Sequence, residues 1–183
     1  MNTRGFTLIE ILVTVAVLTV VAVAVGGMLI TSQNTFSMGT TLGTLQDQSR
    51  FVVDKIANEL QQSGTSTFAP ASPSGVTSLA FQKCTGYVAS ARTWGNAITY
   101  AFAYETGEVN DGADNNGNGL ADEGIITRTE GTQTVTVARY VREGSFMFTL
   151  SGKVLKVEVV LERKDAKGRL LSASASTSIQ TKN

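Results

Sequence analysis

The sequence predicts an α+β protein: one long N-terminal α-helix, transmembrane at first and then amphipathic, packed on an antiparallel β-sheet head, a lollipop of stem and head. Three observations predict it. Ile11–Ile30 is a run of 20 residues without a charge. Apolar residues then recur at three-to-four-residue spacing as far as Ser63. Beyond Pro70 and Pro73 the pattern changes to short alternating stretches punctuated by glycine.

At about 1.5 Å rise per residue, Ile11–Ile30 makes a helix long enough to cross the apolar core of a bilayer. Arg4 and the amino terminus precede it, and the next basic residue is Arg50. The bias of basic residues toward the cytoplasmic side therefore puts the N-terminus inside and the remainder outside. Three simpler readings compete: a secretory signal cut after Ala22-Val23-Ala24, a plain anchor, and a buried core helix. The first two have no use for Glu10, and the run is too long and too apolar on every side for the third. A charged side chain within a spanning segment costs about 2.5–3.5 kcal/mol, and such a residue is functional and paired by default.

Arg4-Gly5-Phe6-Thr7-Leu8-Ile9-Glu10, followed by the apolar run, resembles the class III leader of type IV pilins and pseudopilins. The resemblance implies cleavage by a prepilin peptidase between Gly5 and Phe6, N-methylation of Phe6, and assembly through Glu10, which becomes the fifth mature residue. It implies that Glu10 pairs with the N-terminal amine of a neighbouring subunit. Two charges that are each costly in lipid become tolerable when they neutralise one another, so the pair favours subunits in register. Residues 1–5 are then a cleaved leader and residues 6–30 the transmembrane and filament-core helix. Many type IV pilins carry proline at the twenty-second mature position; here it is Gly27, preceded by Gly26. Two glycines suit either local melting of the helix or close helix–helix packing.

Residues 31–64 continue the helix. Leu42, Leu45, Val52, Ile56 and Leu60 form its stripe, Gly39 and Gly43 are possible breaks, and Gly64 suits a C-terminal cap. Thr65–Gly75 is a loop. Strands are expected at Val76–Gln82, Ala97–Tyr104, Gln133–Arg142, Ser145–Leu150, Lys153–Glu162 and Leu170–Gln180. Lys153–Glu162 is the clearest: Leu155, Val157, Val159 and Leu161 make one face, and Lys156, Glu158 and Glu162 lie on the other. Residues 65–183 thus form a periplasmic or extracellular β-rich head. The end of the stem helix and the later strands also resemble, more loosely, PilW-type minor pilins and the J-type minor pseudopilins of type II secretion.

Residues 105–130 stand out as an acidic insert, with seven acids against Arg128. Within it Asp114-x-Asn116-x-Asn118-Gly119-x-x-Asp122 resembles the calcium loops of EF-hands, dockerins and thrombospondin type 3 repeats. Alternate side-chain oxygens converge on one ion and the glycine permits the sharp turn. Asp114, Asn116 and Asn118 are the expected side-chain ligands, Leu120 gives its carbonyl, and Asp122 binds directly or through water. Ile125 stands where an EF-hand has its bidentate glutamate, so Glu123 or Asp111 must complete the shell. Calcium is expected at modest affinity, with no organic cofactor. The competing reading is a solvated Asn/Gly/Asp turn region.

The whole chain has 183 residues, 15 Lys+Arg, 15 Asp+Glu, no histidine and one cysteine. The missing histidine removes the usual general base, and a single Cys84 allows neither an internal disulfide nor a CxxC metal site. Cys84 reads as a partly buried bystander and Trp94 as core or subunit contact. Arg139 and Arg142 read as a solvated strand edge. No basic–aromatic stripe for nucleic acid is visible. The expected role is a structural subunit, not an enzyme. Its partners are other pilin or pseudopilin subunits, the prepilin peptidase/methyltransferase and an inner-membrane assembly platform. It begins as a single-pass inner-membrane precursor and ends in a periplasmic pseudopilus or an extracellular pilus. The rival reading is a membrane-anchored calcium-binding or adhesive module that does not assemble.

Overall fold

The computed structural model describes residues 7–181. One helix, α1, runs Leu8–Leu60. Eight strands follow: β1 (Ser74–Val76), β2 (Ser78–Val88), β3 (Ala91–Tyr104), β4 (Gly124–Glu130), β5 (Gln133–Val141), β6 (Met147–Ser151), β7 (Val154–Lys164) and β8 (Leu170–Gln180). The chain divides into two units, one ending at Thr40 and the other beginning at Thr41. The α+β architecture expected from the sequence is present: the C-terminal turns of α1 pack on an antiparallel sheet.

The first unit is helical. Gly26, Gly27 and Gly39 do not interrupt α1, nor does Gly43 in the second unit. Along Leu8–Ile30 the large apolar side chains are exposed, from Val25 at 49% to Leu8 at 82%. The helix is long and apolar enough to cross a membrane.

In the second unit α1 becomes one-sided. Leu45, Ser49, Val52, Val53, Ile56, Ala57 and Leu60 are buried. This is the expected stripe with Ser49 filling the gap between Leu45 and Val52. A serine is admissible there because its hydroxyl donates to the Gln46 carbonyl at 2.9 Å and so enters the core already satisfied. Leu42 is only half-buried. The stripe lies on a core built from Leu79, Phe81, Ile98, Tyr100, Ile126, Phe146, Phe148 and the alternating Leu155, Val157, Val159 and Leu161.

The sheet runs β1-β6-β7-β5-β4-β3-β2, with β8 also on β7. Its centre is β7. One edge of β7 pairs with β8 along eleven positions, from Val154↔Gln180 to Lys164↔Leu170. The other edge is shared in succession by β6, from Val154 to Glu158, and β5, at Leu161. The β7–β8 turn is fixed by Asp165, whose carboxylate accepts from the Lys167 and Arg169 amides and from the Arg169 guanidinium. Burial pushes that carboxyl up, but these donors outweigh it and hold it below the usual range.

Three expectations need correction. Gly64 does not cap α1 in a left-handed conformation; its φ is −119°. It is glycine for a different reason: a Cβ there would lie 2.7 Å from the Trp94 ring. Second, the last seven residues of the 105–130 insert are strand β4. The charge count of the region obscured the β-branched run Ile125-Ile126-Thr127. Its entry residue, Gly124, has no room for a Cβ, which would meet the Ala103 carbonyl at 2.4 Å. Third, β2 and β3 extend well beyond the expected boundaries, to a hairpin tip at Ala89 and Ser90. Both tip residues have positive φ, 49° and 67°. That turn favours Asn-Gly, so Ala-Ser gave no signal.

One polar cluster ties α1 to the sheet. Glu59 Oε1 accepts from Lys83 Nζ on β2 at 3.0 Å. Glu59 Oε2 accepts from the Tyr100 hydroxyl on β3 at 2.8 Å and from Arg128 Nε on β4 at 3.0 Å. Arg128 also reaches Glu130 at 2.6 Å. Burial raises the Glu59 carboxyl, but the Arg128, Lys83 and Tyr100 hydrogen bonds outweigh it and hold it below its ordinary 4.5. The Tyr100 phenol is pushed up, by burial first and by Glu59 second.

Two outcomes follow for thermal unfolding of the chain. Ile56→Ala empties a fully buried site and should destabilise the second unit by about 2–5 kcal/mol. For Glu59 the folded carboxyl titrates below the unfolded one. Its contribution is therefore complete above pH 4.5 and is lost as pH falls through the folded value. Melts of the native chain and Glu59→Gln should differ at pH 7 and converge on acidification. A gap that persists unchanged at low pH contradicts this assignment.

Candidate functional site

Two places in the chain carry chemistry that the core does not need. The first is the start of α1. The Thr7 amide donates to Glu10 Oε2 at 2.8 Å, the Thr7 hydroxyl donates to the same oxygen at 2.9 Å, and the Glu10 amide donates back to Thr7 Oγ1 at 3.3 Å. This reciprocal pair is a capping box: two amides left over at the helix start find acceptors, and the carboxylate sits at the positive end of the helix dipole. The Thr-x-x-Glu spacing is legible in the sequence, but the cost of a carboxylate in lipid drew attention away from it. Among the described residues Glu10 Oε1 has no hydrogen bond, so one oxygen remains for a further partner.

Four threonine hydroxyls of the same helix are satisfied within it. The hydroxyls of Thr14, Thr19, Thr31 and Thr35 each donate to the carbonyl four residues earlier, at 2.6, 2.7, 2.9 and 3.0 Å. A helix with its hydroxyls internally satisfied presents apolar surface to lipid or to another helix. Gly26 and Gly27 leave open space where a side chain would stand. Arg4, Gly5 and Phe6, on which cleavage and methylation are expected, lie outside the described residues.

The second place is the loop between β3 and β4. Asp114 begins it by accepting from the amides of Gly117, Asn118 and Gly119 at 2.7, 3.1 and 2.6 Å. Gly119 then turns with φ +91°, a conformation that disfavours any side chain. Asn116 and Asn118 follow on alternate positions, and both point their Nδ2 groups at Glu123 Oε1, Asn116 at 2.9 Å. Three of the expected ligands therefore converge: Asn116, Asn118 and Glu123. Leu120 is buried and its amide donates to Asn118 Oδ1 at 2.9 Å.

The others are otherwise engaged. Asp114 is committed to its own loop amides. Asp122, at φ 55°, accepts from the Asp111 and Gly112 amides at 3.0 and 2.9 Å. Asp111 in turn accepts from the Ala113 amide at 2.9 Å. Among the described residues no three His, Cys, Asp or Glu side chains are grouped so as to hold a metal.

Two residues were missed. Glu108, 5% exposed, accepts from the Asn115, Asn116 and Asp122 amides at 3.0, 2.8 and 3.3 Å. It is the internal post of the loop, yet it lies outside the calcium-like spacing. Glu105 bonds through its amide to the Glu123 carbonyl at 3.2 Å, which makes the two residues cross-strand neighbours at the neck of the loop. Arg139 pairs with Glu105 Oε1. Elsewhere, Cys84 is half-buried, and its thiol donates to the Gly86 carbonyl at 3.4 Å.

Comparison with known families finds one match: residues 1–26 fit the family described as the prokaryotic N-terminal methylation motif. Comparison with curated proteins and with solved structures finds no match. The matched segment includes Gly5, Phe6 and Glu10 and extends through Gly26 of the exposed apolar helix. Residues 1–26 therefore carry the methylation motif of a type IV pilin-like, class III signal, and that motif runs into an apolar helix long enough to cross a membrane.

Proposed function

We propose that this chain is a minor pilin-like structural subunit of a type IV pilus or a type II secretion pseudopilus. In this reading a prepilin peptidase cuts between Gly5 and Phe6, the same enzyme class methylates Phe6, and an inner-membrane assembly platform inserts the mature chain into a filament of related subunits. The observation that carries the reading is the methylation motif joined to a helix whose large apolar residues from Leu8 to Ile30 are exposed. Such a helix is stable in two settings, a bilayer and a bundle of like helices.

Glu10 explains how it moves from one to the other. Its Oε2 is held by Thr7 while Oε1 is free among the described residues. The capping box thus fixes the carboxylate at the helix start, where an incoming subunit's amine at Phe6 can meet it. An unpaired carboxylate and an unpaired ammonium are each costly in lipid, and pairing them across subunits favours assembly over the isolated state. The β-rich unit is then the outward-facing part, built on a core of its own. A second reading, a membrane-anchored module that binds calcium or adheres without assembling, draws on the β3–β4 loop alone and leaves Glu10 without a task.

Two variants test the first reading in cells. Gly5→Ala should leave full-length precursor in the membrane. Glu10→Val should be inserted and cleaved normally but should be lost from sheared filaments or from the assembled complex. Normal cleavage of the first and normal incorporation of the second would refute the subunit reading and leave the anchored module.

A further inference from the structure

The loop between β3 and β4 holds two carboxylate oxygens that the fold leaves without a partner. Glu123 is 2% exposed, and its Oε2 has no hydrogen bond among the described residues. Glu105 Oε2 is likewise buried and unbonded. A buried carboxylate oxygen without a donor is expensive, and native folds rarely leave one. Two of them on cross-strand neighbours are worse, because like charges directly opposite one another repel across a Cβ separation of about 4.5–5.5 Å. The one positive group paired here is Arg139, which is 58% exposed and engages only Glu105. Lys164 reaches over Gly119, its Nζ 3.0 Å from where a Cβ would stand, but it makes no ion pair among the described residues.

The surroundings of Glu123 are those of a hard-cation site. Its Oε1 gathers the side chains of Asn116 and Asn118, which stand on alternate positions of a loop turned by Gly119. Asp114, at the head of that loop, holds the three following amides and so fixes the curvature. Asn116 Oδ1 and Asn118 Oδ1 now accept from the Asn118 and Leu120 amides at 3.0 and 2.9 Å; rotating each side-chain amide by half a turn gives up those two bonds and exchanges Nδ2 for Oδ1. The same convergence that now offers two N–H donors then offers two oxygens beside a carboxylate. Calcium accepts carboxylate, amide and carbonyl oxygens in flexible geometry, whereas magnesium demands a near-ideal octahedron and gives up water reluctantly.

We infer that Glu123, with the amide oxygens of Asn116 and Asn118, binds one calcium ion that neutralises the paired charge of Glu105 and Glu123. Asp122 is not a ligand in this arrangement, because its carboxylate anchors the Asp111 and Gly112 amides. Glu108 is likewise a positioning residue, committed to loop amides. With a single liganding carboxylate the affinity falls in the range of extracellular modules, roughly 10⁻⁴–10⁻³ M. The site lies wholly between β3 and β4 and is independent of the filament reading.

The test is calorimetric titration of the full chain in detergent micelles, stripped with chelator, with calcium chloride and in parallel with magnesium chloride. One calcium per chain should bind in the stated range, with a raised melting temperature and little or no heat from magnesium. Glu123→Gln should weaken binding about tenfold or more, since affinity follows the charge of the ligands. Asn118→Ala, at an exposed position, should weaken it without disturbing the fold and decides the matter if Glu123→Gln does not fold. The absence of both heat and thermal shift up to about 10 mM calcium, far above the expected range, would overturn the inference. Equal affinity in the native chain and Asn118→Ala would overturn it too, by reducing the effect to diffuse attraction.

Discussion

The Glu59 carboxylate sits where four elements meet: α1, β2, β3 and β4 each contribute one member to a cluster that Lys83, Tyr100 and Arg128 complete. A helix laid on a sheet by apolar contact alone can slide by a turn, because Leu, Val and Ile substitute for one another across the interface. A carboxylate with three donors cannot slide, since leaving one of them unmatched in a largely buried setting costs more than the apolar contacts gain. The cluster therefore fixes which turn of α1 faces which strands. With that register set, Val52, Ile56 and Leu60 are buried, as are Phe81, Ile98 and Ile126 on the sheet, and the second unit has a core of its own beginning after Thr40.

That independence bears on function. A protein whose core is already full has no structural use for a further exposed apolar helix, so the segment from Leu8 to Ile30 must serve something outside the chain. The capping box of Thr7 and Glu10 sharpens what that is. Capping alone would be satisfied by an uncharged glutamine at this position; here the group is a carboxylate at the start of the apolar helix, with one oxygen left over among the described residues. The methylation motif overlaps this helix, and in the proposed reading cleavage after Gly5 would create a free amine a few residues away.

Much of this was legible in the sequence, for reasons that can be stated. The stem helix was visible because charge-free length and period 3.6 are both local properties. Strand β7 was visible because Leu155, Val157, Val159 and Leu161 alternate without exception, and the structure buries all four. The Glu59 cluster was not visible: its members are 24, 41 and 69 residues apart, and pairing at that range depends on topology. Strand β4 was hidden by its acidic surroundings, and the tip at Ala89 and Ser90 by residues that seldom adopt its conformation. In the loop, the spacing of Asp114, Asn116 and Asn118 pointed to side chains converging on one ion; the structure brings Asn116 and Asn118 together on Glu123 and keeps Asp114 on loop amides. What spacing alone could not assign is the division of labour, in which Asp114, Asp122 and Glu108 serve amides while Glu123 is left buried with an unbonded oxygen.

The central claim is that the apolar helix belongs to a processed subunit rather than to an ordinary secreted or anchored protein. Mass spectrometry of the N-terminal peptide of the chain recovered from its native cell envelope tests that most directly. The account predicts a peptide that begins at Phe6 and is one methyl group heavier than the sequence requires. A peptide that retains Met1–Gly5, or one that begins after Ala24 as a conventional signal peptidase would leave it, would contradict the account.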